Sequence, residues 1–399
     1  MIFKNAIVCD VNGERVCDVR VENGLFCEIG LDINGEEEVD VKGLYLIPLL
    51  VDLNIKTSDS NLNAKNIKAV SNEALKAGIG HIVLSPDSTP AIDNEIVLEF
   101  AQNGLHELHG AKVDLMINTL KEDATLSNIA ILLKRGAVAP YMSTIAKNDV
   151  AIKIAQYAQM YGVTIFCKAE DNSLISSGVM LDGDVSSKLG LAGIPDLSEV
   201  LHVSRMIEIA RHFDIKILFK AIASPRSIYL INKAKSEGVK VTCEVSIHHI
   251  LNSDEACKNF NTTAKLNPPL ASKKDMNLLQ EALKNSQIDI LTTLHQPSSP
   301  VSKEVAFYDA AYGCEGLSYA MSLYYTKLVK SEMIPMNRLL ELCVRNPLKA
   351  IGKDGAEIKV GERASFMLFD PSKKVTMDEK LSLYSGEELY GEIREVFNF

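Results

Sequence analysis

Between residues 50 and 294 the chain repeats one pattern: a short apolar run of strand character, then a stretch with helical periodicity. The apolar runs fall at 50–55, 81–85, 112–117, 137–140, 163–168, 216–222, 240–245 and 288–294. Helix-like segments at 67–76, 149–160, 197–211, 226–237 and 276–283 lie between them. Runs this uniformly apolar suit strands buried on both faces, and strands that alternate with helices lie parallel because each connection returns to the same end of the sheet. The pattern predicts an α/β fold, a closed (β/α)8 barrel over residues 49–352, with any functional groups gathered at the C-terminal ends of its strands.

The flanks read differently. Strand-like stretches at 6–9, 16–21 and 25–29 are separated by reversals at Asn12-Gly13 and Asn23-Gly24, a dipeptide suited to tight hairpins. Strand character returns at 358–362 and 364–371. Both ends are therefore predicted to pair into one small β-sandwich, residues 1–48 plus 353–399. A length of 399 residues with 47% hydrophobic content leaves room for a barrel and an accessory domain and excludes a disordered chain. The formal charge of −10 argues against nucleic acid or an anionic membrane as the main partner, and no apolar run approaches the ~20 residues of a membrane span. The N-terminus reads as a strand, without a secretory layout. Eight cysteines are scattered without a CxxC pair or zinc-finger spacing. They read as buried free thiols of a cytoplasmic protein.

Further motifs recur in order: Gly43 to Lys56 around Pro48 and Asp52, Pro86-Asp-Ser-Thr-Pro90, Ala169-Glu-Asp171, 188–195, 234–249, Lys265-Leu-Asn-Pro-Pro-Leu270 and 346–352. Together they resemble a dihydroorotase of the long bacterial class, within the amidohydrolase superfamily, and the similarity runs from Gly43 to Asp370. That resemblance implies a zinc centre in active members, and it allows each ligand position to be compared. The two histidines of the first-strand H-x-H are Asn54 and Lys56 here. The aspartate of F-S-D-D-G falls at Met142 or Ser143, within Pro140-Tyr-Met-Ser-Thr144. The histidine of H-x-E-D is Lys168, that of H-V-S-T aligns with Ile222, and the aspartate of T-D-H-A-P-H is Leu294.

Amide, ammonium, thioether and aliphatic groups are poor ligands for zinc. In the family the last aspartate also carries the proton to the leaving nitrogen, which leucine cannot do. Without the metal nothing lowers the pKa of an attacking water. The substrate clamp is altered too: Ser58 stands for an arginine, Asp87 for the asparagine of P-N-T-x-P, and Ala271 for an arginine after the retained Asn267-Pro-Pro-Leu. His295 persists. The expectation is a chain with no catalytic residues, metal or cofactor. Lys56 and Lys168 are expected to pair internally with Asp52, Glu170 or Asp87, the alternative being a pocket for a new anion. His248 and His249, placed near a strand end and on opposite faces, are expected to be structural.

A scaffold kept after its site is lost resembles the inactive dihydroorotase-like subunits that some bacteria pair with aspartate transcarbamoylase. There the barrel protein holds catalytic trimers in a larger complex. This implies a homo-oligomer whose partner is the aspartate transcarbamoylase catalytic trimer. Two alternatives stay open: an active dihydroorotase or related cyclic amidohydrolase, and a metabolite-binding protein using the lysine-lined cavity.

Overall fold

The computed structural model describes residues 1–399 apart from Glu107, Thr144 and Ile145. Thr144, which ends the segment read as a lost ligand position, thus lies outside the described residues. Eight strands hydrogen-bond in chain order: Leu50–Ile55, Ile79–Leu84, Lys112–Asn118, Ala139–Met142, Ile165–Lys168, Ile217–Lys220, Val241–Ser246 and Ile290–Thr292. Neighbours pair parallel, with Lys168 beside Lys220 at the end of the fifth and sixth strands. The second strand is buried throughout, as a strand packed on both faces must be.

Asp52 ties the first strand to the last. Its carboxylate accepts from Thr292 Oγ1 (2.6 Å), Thr293 N (2.7 Å) and Thr293 Oγ1 (2.6 Å). Beyond it, Lys56 N donates to His295 O at 2.9 Å. Asp52 is thus fully engaged in barrel closure and is not the lysine partner that the sequence offered.

The helices between strands begin and end on identifiable residues. Asn63 accepts from Asn66 N at the start of Ala64–Lys76, and Ser272 accepts from Asp275 N at the start of Lys273–Lys284. Pro225 opens Pro225–Ser236, where its missing N–H has no intrahelical partner to lose. The helices Glu95–Asn103 and Ile129–Lys134 complete units for which the sequence suggested no helix. Phe166 and Phe219 are fully buried in the barrel, each contributing about 1.5–3 kcal/mol relative to exposure.

Strands from both chain ends form a separate seven-stranded sheet: Ile2–Asp10, Gly13–Glu22, Leu25–Gly30, Glu38–Asp40, Tyr45–Pro48, Ser365–Thr376 and Glu388–Asn398. It encloses its own core, where Phe3 packs edge-on against Phe366 at 5.2 Å. Asn23 and Gly24 both take positive φ (51° and 74°) at the hairpin between the second and third strands, the geometry a tight hairpin requires. The stretch 358–362 is not a strand. Ile358 is buried, and side chains satisfy its backbone, its N–H donating to Asp10 and its carbonyl accepting from Arg15, while Gly361 N and Glu362 O bond the Phe26 backbone. Seven cysteines are buried free thiols as expected, whereas Cys27 is exposed. Among the described residues no helix is long and apolar enough to cross a membrane.

Candidate functional site

At the C-terminal end of the barrel a cavity of about 210 Å³ opens, lined by Asn54, Lys56, Asp87, Tyr141, Lys168, Lys220, Ala221, Asn267, Leu294 and His295, among others. Seven residues singled out in the sequence are therefore brought together: Asn54, Lys56, Asp87, Lys168, Asn267, Leu294 and His295. Three are not. Ser58 is exposed in the single turn Ser58–Ser60. Met142 and Ile222 are buried in the apolar barrel wall. The residues that face the cavity there are their neighbours Tyr141 and Ala221: within Ala139–Met142 alternate residues point to opposite faces, while Ala221 follows the end of Ile217–Lys220 and takes φ +49°.

Ion pairs fill the floor and walls. Lys220 Nζ lies 2.7 Å from Glu244 Oε2 and 2.7 Å from the Leu53 carbonyl, with side chains 4% and 0% exposed for lysine and glutamate. Asn54 Nδ2 donates to the other Glu244 oxygen at 2.7 Å. Burial raises the Glu244 carboxyl, and Lys220 and Asn54 act against that rise. On the wall, Lys56 Nζ pairs with Asp87 Oδ2 at 2.7 Å, and Ser85 donates to the other Asp87 oxygen. Burial alone would raise the Asp87 carboxyl; the Lys56 ammonium, the Ser85 hydroxyl and Lys168 outweigh it and hold it below the usual carboxylate range. Lys168 Nζ pairs with Glu170 Oε1 at 3.0 Å. With the Asn267 amide nitrogen turned toward Glu170, the amide bridges Glu170 Oε2 (2.9 Å) and Lys168 Nζ (3.2 Å).

The cavity thus carries three ammonium groups, each bonded to its own carboxylate. Lys220 and Glu244 are the members that sequence reading missed. The signal was available: a lysine inside the apolar run 216–222 has no reason to be there unless a buried acid receives it. The donor set does not fit a divalent metal, since ammonium groups repel it and the carboxylates are committed to the lysines. Among the described cavity-lining residues, burial holds the Tyr141 phenol well above its ordinary pKa, so it stays neutral, and His295 is the one imidazole, its Nδ1 set 3.2 Å from Glu315 Oε1.

Backbone geometry keeps a trace of a different residue. Leu294, 7% exposed, takes φ +49°, a left-handed conformation that costs a leucine about 1–3 kcal/mol and that aspartate or asparagine adopts more readily. The adjacent His248 and His249 lie near a strand end as expected, but in the short helix Ile247–Leu251 that follows it, so strand alternation does not set their directions. Ser246, the last residue of the seventh strand, caps that helix. His248 Nδ1 meets Tyr384 Oη at 3.0 Å, and His249 bonds Ser246 Oγ and the Pro268 carbonyl. Burial lowers both imidazoles, to about 3 and about 4, so both act as neutral structural groups.

The barrel, its companion sheet from both chain ends and the position of the cavity define an amidohydrolase-type protein. Among solved structures, the L-hydantoinase of Arthrobacter aurescens superposes with a TM-score of 0.86 at 20% identity, covering 99% of this chain and 94% of its own. The D-hydantoinase of a Thermus species superposes with a TM-score of 0.83 at 18% identity, covering 99% and 93%. No protein-family model matches the chain. Dihydroorotases of Ruminiclostridium cellulolyticum and Elusimicrobium minutum are each 33% identical over 414 aligned residues, covering 98% and 99% of this chain and 95% of each relative. The chain belongs to the dihydroorotase family.

Proposed function

We propose that this chain is a non-catalytic dihydroorotase-like protein of pyrimidine biosynthesis that serves as a structural or activating partner of aspartate transcarbamoylase. The observation that carries the loss of catalysis is the lysine–carboxylate pairing of the cavity, in which Lys220–Glu244 is the most buried member. A metal-dependent hydrolase needs ligands, an open coordination position and a base; here these places are taken by ammonium groups, an amide and Leu294. The reading as a partner rests on the fold kept over almost the full length of relatives called dihydroorotase, together with the resemblance to inactive subunits. Surfaces remain useful after chemistry is lost.

The test mixes the purified chain with the aspartate transcarbamoylase of the same organism and follows sedimentation and carbamoyl transfer together. A stoichiometric complex larger than either component, with raised or stabilised transferase activity, supports the proposal. Separate boundaries and unchanged activity overturn the partnership. The chain sedimented alone also tests the expected homo-oligomer. A second reading draws on the cavity itself, which stays open at about 210 Å³ with a polar lining and suits a small charged metabolite. A rise in melting temperature with dihydroorotate or carbamoyl aspartate favours that reading.

A further inference from the structure

Beside the cavity lies a second group of titratable side chains, on different elements and with a different charge balance. Glu73 comes from the helix Ala64–Lys76, His295 from the segment after the eighth strand, and Glu315 from the loop that follows. One donor atom from each lies within 4.8 Å of the other two. His295 is 1% and Glu315 7% exposed, and His295 Nδ1 stands 3.2 Å from Glu315 Oε1. The other ring nitrogen, His295 Nε2, is buried without any hydrogen-bond partner.

Every carboxylate bordering the cavity has its own lysine, yet this pair has none. Among the described residues no lysine or arginine nitrogen comes within 4.0 Å of Glu73 or Glu315; one imidazole faces two carboxylates. Asp52 and His248 are further titratable neighbours of His295, and they leave that imbalance in place. Setting a buried acid and a half-buried one against a single buried imidazole is costly unless a proton or a cation completes the charge. We propose that Glu73, His295 and Glu315 form a divalent transition-metal site, distinct from the family centre whose ligand positions are lost.

One nitrogen and two carboxylates suit zinc, manganese or ferrous iron better than calcium or magnesium, which favour an all-oxygen shell. Tetrahedral zinc with ligand bonds near 2.1 Å sets its donors about 3.4 Å apart. The His295–Glu315 separation already meets this, and the wider ones must close by at most about 1.4 Å. The outer shell is in place: Glu315 Oε1 accepts from Leu317 N (2.7 Å) and Ser318 N (3.1 Å), and Ser318 Oγ donates to Glu73 at 3.3 Å. Burial raises the Glu73 carboxyl to about 7, and the charge of the carboxylates leaves His295 raised despite its own burial.

The test uses the tag-free full chain, stripped with a chelator, loaded with zinc and dialysed. One zinc per chain is expected, with retention reduced at least tenfold in Glu73→Gln and in Glu315→Gln. Glu315 also receives two backbone N–H groups, so Glu73→Gln is the decisive variant; circular dichroism checks that it folds. Cobalt loading gives a second readout, a visible absorption band present in the wild type and absent from Glu73→Gln. A folded wild type that keeps no metal overturns the site, as does equal retention in Glu73→Gln. Hydrolysis of dihydroorotate by the zinc-loaded chain would contradict the non-catalytic reading while leaving this metal site standing.

Discussion

Replacing Lys220 by methionine removes the ammonium that Glu244 and the Leu53 carbonyl share, each at 2.7 Å. Methionine fills much of the lysine's volume, so the cost is electrostatic rather than a cavity. Glu244 is wholly buried and must then either remain ionised without a counter-charge or take up a proton. The first route costs ~3–5 kcal/mol, the usual penalty for breaking a buried pair. The second costs about 3.7 kcal/mol at pH 7, the work of protonating a carboxyl whose unfolded pKa is about 4.3. The less costly route prevails, so the predicted loss is about 3–4 kcal/mol at neutral pH.

The pH dependence identifies the cause. In the variant the folded-state pKa of Glu244 rises far above its unfolded value, so the native chain binds more protons than the unfolded chain. Stability relative to wild type then falls with rising pH above ~4.3, by at most about 1.4 kcal/mol per unit. Lys220→Met combined with Glu244→Leu removes both charges and recovers more than half of the loss. Urea unfolding followed by circular dichroism at pH 5, 6 and 7 measures all three chains. A Lys220→Met loss below about 1 kcal/mol, with no added pH dependence, would refute the buried-pair reasoning.

Lys56→Met acts on a partly exposed pair and is expected to cost only about 1 kcal/mol. An unchanged melting temperature would argue against internal pairing at that position. The depressed Asp87 pKa makes this contribution present above the unfolded carboxylate pKa and lost as pH falls through the folded value. Burial raises Glu199 to about 7 although it accepts from Ala223 N and Ser224 N. Its raised pKa contributes stability below the unfolded value that is lost as pH rises toward 7, and Glu199→Gln should flatten that part of the urea profile. Leu294→Asp restores a carboxylate to a backbone that suits it but brings back no metal ligands around it, so a dihydroorotate assay should remain at background.

The barrel was legible in the sequence because its strands are apolar on both faces and recur between helices. All eight observed strands overlap the predicted runs. The helix Ile129–Lys134 is hard to see from sequence because it has only six residues, too few for a clear period. At the site, motif spacing located Asn54, Lys56, Lys168 and Leu294 at the cavity. The positions aligned at Met142 and Ile222 lie instead in the apolar wall, where Tyr141 and Ala221 beside them line the cavity. Partners across the barrel were harder still. Asp52 looked like a free carboxylate, yet it binds Thr292 and Thr293, about 240 positions away in the chain. Lys220 meets Glu244 only because the sixth and seventh strands are neighbours.

The most direct measurement is the interconversion of dihydroorotate and carbamoyl aspartate by the purified chain, with and without added zinc and with bound metal quantified in the same samples. Lysine–carboxylate pairs in place of a metal centre predict no turnover above the uncatalysed rate in either direction, whatever metal the protein carries. Zinc-dependent turnover that disappears when Lys168 or Asn54 is substituted would contradict that prediction and return the chain to the active enzymes of its family.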